Sequence, residues 1–129
     1  MAEKGTLLMV GTAKGLFILE RAAGSDKWSI DGPHFAGLAV YSAFLDQRKG
    51  RNEMWAAPAS WHFGAELCKS TDMGMTWDMP EKRRIKMPAN TKTALENIWQ
   101  IAPGAAPDSL YVGVAPAALF ESHDRGETW

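Results

Sequence analysis

Ser70-Thr71-Asp72-Met73-Gly74-Met75-Thr76-Trp77 is matched 52 residues later by Ser122-His123-Asp124-Arg125-Gly126-Glu127-Thr128-Trp129. Five of the eight positions are identical, in the pattern Ser-x-Asp-x-Gly-x-Thr-Trp. Each fixed residue has a local task. An aspartate at the third position accepts hydrogen bonds from backbone N–H groups two and three residues on, in an Asx-type turn. Glycine at the fifth supplies the positive φ that such a turn needs. The hydroxyls of Ser70 and Thr76 tie the turn to its flanking strands, and Trp77 packs its ring between neighbouring sheets. The motif therefore reads as a structural hairpin, with one strand ending at Ser70 and another beginning at Thr76. No fixed position calls for a substrate.

The repeat extends upstream. Leu110-Tyr111-Val112-Gly113 followed by Leu119-Phe120 echoes Leu8-Met9-Val10-Gly11 followed by Leu16-Phe17, and Met54-Trp55-Ala56-Ala57 fills the same slot in between. A worn turn, Gly24-Ser25-Asp26-Lys27-Trp28, precedes Trp77 by 49 residues. A fixed period of this kind is the signature of a repeat architecture.

Between the motifs the chain breaks into short apolar runs bounded by turn residues. Strands are expected at 6–11, 15–20, 40–45, 53–57, 66–70, 98–102, 110–114 and 119–122, each short and rich in β-branched and aromatic residues. Lys92–Gln100 is the one stretch with any helical reading, and it is short and soon stopped by Pro103. The chain reads as all-β.

Composition narrows function by exclusion. Fourteen basic and fifteen acidic residues give a net charge of −1, which removes the electrostatic case for nucleic acid or anionic lipid. The single cysteine, Cys68, makes no internal disulfide and reads as a small buried hydrophobe. No run approaches the ~18 apolar residues of a membrane span, and Thr6–Val10 is too short for a signal-peptide core. A cytoplasmic protein with no nucleic-acid or membrane partner is expected.

Ser-x-Asp-x-Gly-x-Thr-Trp resembles the Asp box, the repeat of bacterial neuraminidases (BNR). The chain resembles Asp-box β-propellers, a group that includes sialidases, related glycoside hydrolases, sortilin-type receptors, photosystem assembly factors and many uncharacterised bacterial propellers. Gly11-Thr12-Ala13-Lys14-Gly15-Leu16-Phe17 looks like the first blade of that bacterial group. The resemblance implies an all-β, incomplete β-propeller of about two and a half four-stranded antiparallel blades. Blade one would span about 6–31, blade two about 40–79 and blade three about 98–129, with Ser70, Asp72, Gly74, Thr76, Trp77, Ser122, Asp124, Gly126, Thr128 and Trp129 as structural boxes. At roughly 50 residues per blade, closing a ring of four to eight blades takes roughly 200–400 residues. The 129 residues are therefore expected to be the N-terminal part of one longer propeller, partnered by its remaining blades.

Sialidases use three arginines to clamp a carboxylate, an Asp acid/base and a Tyr–Glu nucleophilic pair, the first arginine lying in a Phe/Tyr-Arg-Ile-Pro motif. The nearest approach here is Arg84-Ile85-Lys86-Met87-Pro88, preceded by Arg83 and with two residues between Ile85 and Pro88. The arginine role is not carried onto Arg84. The two tyrosines, Tyr41 and Tyr111, fall inside expected strands. No catalytic residue is assigned, and no metal or cofactor is expected.

In this architecture the Asp box joins the third and fourth strands of a blade. Second-to-third-strand loops and the links between blades then share the opposite face, where the family's ligand sites lie. Lys14, His34, Trp61, His62, Arg83, Arg84 and Lys86 are the chemically capable residues assigned to that face. Trp61-His62-Phe63 offers an aromatic platform for a sugar ring, and Lys82-Arg83-Arg84 could hold an anionic group. Asp72 and Asp124 are spent on their turns and lie on the wrong face for a glycosidase carboxylate pair. Two readings follow: a non-catalytic platform that binds a carbohydrate or a protein, or an exo-acting, sialidase-type glycoside hydrolase with most catalytic residues outside this chain.

Overall fold

A computed structural model describes residues 4–62, 64–79 and 85–129. No described residue is α-helical. Among the described residues no helix is long and apolar enough to cross a membrane, a statement that does not bear on β-barrels. The elements are β1 (Thr6–Thr12), β2 (Gly15–Arg21), β3 (Trp28–His34), β4 (Ala39–Asp46), β5 (Glu53–Ser60), β6 (Gly64–Ala65), β7 (Cys68–Ser70), β8 (Asn97–Pro103), β9 (Leu110–Ala115) and β10 (Ala118–Ser122). They form three antiparallel sheets, ordered β1-β2-β3, β4-β5-β6 with β7 also on β5, and β8-β9-β10. None closes on itself.

Seven of the eight runs marked as strands from the sequence lie wholly in strands, and of 66–70 only Cys68–Ser70 does. β3 and the two-residue β6 are additions, and β3 carries the first sheet to His34 rather than to residue 31. Lys92–Gln100 is not helical: after a 3₁₀ turn at Ala89–Thr91, the chain enters β8 at Asn97. Its residues pair with β9, which satisfies the backbone better than an isolated turn and a half of helix would. The sheets are also not uniformly four-stranded. Beyond the box that follows β7, pairing is reduced to a single bridge between Lys69 and Asp78.

The hairpins bear out the upstream repeat. In β1–β2, Gly11 lies opposite Leu16 and Val10 opposite Phe17. In β9–β10, Gly113 lies opposite Leu119 and Val112 opposite Phe120. The first hairpin turns on two residues. Thr12 Oγ1 donates to the Gly15 carbonyl at 2.8 Å and accepts the Lys14 amide at 3.1 Å.

The main core lies between the second and third sheets. Trp55 and Ala57 of β5 meet Ile98 and Ile101 of β8 and Leu110, Val112 and Val114 of β9. A smaller cluster, Leu16, Val40 and Ala56, joins the first sheet to the second. Full burial of each Leu, Ile or Val contributes about 1.5–3 kcal/mol, so the seven-residue seam holds much more strongly than the three-residue one.

Polar clips close one end of the larger seam. Arg48 grips the buried Asp46 carboxylate through Nε at 2.9 Å and Nη2 at 2.8 Å. Its Nη1 reaches across to the carbonyls of Gly104 and Ala106, both at 3.0 Å, and Nη2 also reaches that of Ser109 at 3.1 Å. Arg51 adds Asp108 at 2.6 Å. Burial pushes the Asp46 carboxyl upward, but the Arg48 hydrogen bonds and the charges of Arg48 and Arg51 outweigh it and leave the group lowered.

Candidate functional site

The two Ser-x-Asp-x-Gly-x-Thr-Trp boxes are built alike. Ser70 Oγ accepts the Gly74 amide at 2.8 Å and donates to Asp72 Oδ1 at 2.8 Å. Asp72 accepts the Thr76 amide at 2.8 Å and the Thr76 hydroxyl at 2.6 Å. In the second box Ser122 bonds Gly126 and Asp124 at 2.8 Å each, and Asp124 accepts the Thr128 amide and hydroxyl at 2.8 and 2.5 Å. The aspartate thus reaches four residues on, not the two or three expected, because Met73 and Arg125 also adopt positive φ ahead of the glycine and lengthen the turn. The Thr76 and Ser70 hydroxyls bond this aspartate rather than the flanking strands. Asp72 and Asp124 are each held down to about 2, chiefly by the threonine hydroxyl, then by the threonine amide and the serine hydroxyl. These carboxylates are committed acceptors, unsuited to general acid chemistry.

The boxes' tryptophans close the seams. Trp77 packs on the small cluster and Trp129 on the large one. Trp77 lies 4.9 Å from the Phe35 ring, and its indole N–H donates to His34 Nδ1 at 3.3 Å. The other imidazole nitrogen of His34 meets Asp31 at 2.9 Å.

The opposite end of the sheets gathers the β1–β2 turn, the link over 35–38, the β5–β6 hairpin, the approach to β8 and the β9–β10 turn. Besides a small hollow of about 230 Å³ between the β1–β2 turn and the start of β4, two larger concavities lie there. One, about 390 Å³, is mostly apolar and is lined by Phe35, Leu38, Pro58 and Met79, with Glu66 and Ser60 at its margin. The other, about 460 Å³, is lined by Tyr41, Trp61, Ser60, Glu96 and Asn97. Tyr41 meets Trp99 edge to face at 5.2 Å. Tyr41, Trp61 and Trp99 are all exposed, Trp61 completely. Asn97 is 8% exposed. Its Oδ1 accepts the Ile98 amide at 2.9 Å, while its Nδ2 donates to no described residue. A larger hollow of about 550 Å³ lies elsewhere, at the far end of the first sheet, where Arg21 covers the Trp28 ring at 5.1 Å.

The seven residues assigned to this face from the sequence are used differently. Trp61 lines the second groove. His62 sits beside it on the same hairpin, its amide bonded to Ser60 Oγ at 3.2 Å. Lys14 is at the exposed tip of the first hairpin, and its carbonyl accepts the Gly37 amide at 3.1 Å. His34 is committed to Trp77 and Asp31. Lys86 is exposed and lines neither groove. Arg83 and Arg84 lie outside the described residues. Tyr41, Asn97 and Trp99 were not singled out from the sequence. Their signal was an aromatic following a buried aliphatic at the start of a strand, Val40-Tyr41 and Ile98-Trp99. Cys68 is fully buried in β7. Among the described residues, no three His, Cys, Asp or Glu side chains gather at metal-binding spacing.

No protein-family model matches this chain, and no curated protein matches it.

Proposed function

We propose that this chain is part of an Asp-box β-propeller, its three sheets being successive blades, and that the face opposite the boxes is a non-catalytic platform for a carbohydrate or protein ligand. The observation that carries this reading is the groove lined by Tyr41 and Trp61 with the Asn97 amide beside them, and the exposed Trp99 ring stacked edge to face on Tyr41. Exposed aromatic faces next to a few fixed polar groups are what small-ligand recognition uses. The box carboxylates, by contrast, are consumed by their own turns. Among the described residues, the groove hydroxyls of Tyr41 and Ser60 make no hydrogen bond to a carboxylate, as an activated nucleophile would, which favours binding over hydrolysis.

The reading is tested by titrating the chain with neutral oligosaccharides (maltohexaose, cellohexaose and chitohexaose) and with a random peptide library. Trp61→Ala and Trp99→Ala serve as controls. Saturable binding lost in both variants supports it. Binding that both variants retain contradicts it, as does cleavage of a fluorogenic sialoside by this chain.

A further inference from the structure

The link from β3 to β4 turns at Phe35, whose φ of 55° lies in the left-handed region. A bulky aromatic residue is rare there, and backbone strain of this kind gathers at binding sites. Two contacts hold the turn. The Phe35 carbonyl accepts the Leu38 amide at 3.0 Å, and the Trp77 ring lies 4.9 Å from the Phe35 ring. The turn sets Phe35 and Leu38 beside Pro58 and Met79, around the hollow of about 390 Å³.

This hollow is chemically unlike the aromatic groove. The groove reaches Glu96 and Asn97 at the start of the third sheet, whereas the hollow draws on the link between the first two, and they share only Ser60 and Gly64. Its lining is more apolar than those of the other hollows described above, and its volume falls in the range of small-molecule sites. Pro58 is buried, while Met79, 47% exposed, supplies a flexible and polarisable wall.

The charge at its margin has one sign. Among the described lining residues none is cationic, and Glu66 is the one carboxylate. Asp78, next to Met79 in the chain, adds to the negative field: both carboxylates push the Cys68 thiol upward. Both also have engagements of their own. An ionised carboxylate offers about four lone-pair sites, so a further donor needs only the acceptor capacity that remains.

We propose that the hollow of Phe35, Leu38, Pro58 and Met79 is a binding site for a small organic amine, with its apolar body against these four residues and its ammonium group on the Glu66 carboxylate. The apolar body leaves water for apolar walls, and the ammonium gains a charge-assisted hydrogen bond. An anionic analogue meets a like charge instead. The proposal does not rest on the carbohydrate or protein reading of the aromatic groove, and the two give separate signals.

The test titrates the 129-residue chain, carrying ¹³C-methyl methionine, at pH 7 with phenethylamine, 2-phenylethanol and 3-phenylpropanoate, which differ mainly in the charge of the polar end. Met79→Leu assigns the Met79 methyl signal. Phenethylamine is expected to shift that signal saturably at millimolar concentration, with the alcohol and the acid each bound about tenfold more weakly or worse. Glu66→Gln is expected to weaken the amine about tenfold and to leave the alcohol unchanged, while the Trp61 and Trp99 indole signals hold still throughout. The comparison of amine with acid needs no variant. No saturable Met79 shift at tens of millimolar amine overturns the proposal, as do equal affinities for amine and acid, or amine binding that Glu66→Gln leaves unchanged. Shifts of Trp61 and Trp99 without Met79 also overturn it, since the amine would then sit in the aromatic groove.

Discussion

Gly126, in the turn of the third sheet, lies directly against the indole of Trp55 in the second, and a side chain at this position would overlap the ring. Gly74 stands in the same relation to the first sheet, with Ile18 Cδ1 2.6 Å from where its Cβ would be. Both glycines have positive φ, 81° and 89°. The repeated glycine therefore serves the turn and also lets one sheet seat on the next.

Gly126→Ala should lower unfolding stability by more than about 2 kcal/mol, from overpacking and left-handed strain together. Gly113→Ala is the comparison, because no atom lies within 4 Å of its added carbon; it should stay within about 1 kcal/mol of the parent. Urea denaturation of the two variants checks this.

Acid should unfold the chain in a defined window. Asp72 and Asp124 fall from the ordinary 3.8 to about 2 on folding. A lowered folded-state value means the unfolded chain binds protons first as pH falls. The boxes' contribution is therefore complete above about pH 4 and drains away as pH drops toward 2. Replacing both by Asn should flatten the pH dependence of the melting temperature over that window, while lowering it at neutral pH.

Cys68 should resist alkylation. Burial, and then the charges of Glu66 and Asp78, push its thiol up to about 12, so almost no thiolate exists at pH 8. Iodoacetamide labelling should be slow in the native chain and rapid in urea.

Two tryptophans should separate stability from function. Trp55→Ala removes a side chain 1% exposed in the main core and should cost about 3–5 kcal/mol. Trp61→Ala removes a fully exposed ring, and its stability should change by less than about 0.5 kcal/mol. Denaturant midpoints of the pair measure the difference.

Most strands were legible because β-branched and aromatic runs ended at turn residues, and the boxes because a spaced motif recurred. β3 was not legible. Trp28-Ser29-Ile30-Asp31-Gly32-Pro33-His34 contains Gly and Pro and is almost wholly exposed, so it is held by pairing to β2 rather than by burial that leaves an apolar pattern. The Arg48 clip was hidden for a related reason, its partners being backbone carbonyls more than fifty residues away. Trp61 stood out as part of the run Trp61-His62-Phe63. Tyr41 and Trp99 looked like ordinary strand residues until β4 and β8 were brought side by side.

The ligand face is tested most directly through the six indole N–H resonances of a ¹⁵N-labelled sample titrated with the oligosaccharides and peptides above. The account predicts that the Trp61 and Trp99 signals shift together and saturably, while those of Trp55, Trp77 and Trp129 hold still. Shifts confined to Trp55, Trp77 or Trp129 would contradict it.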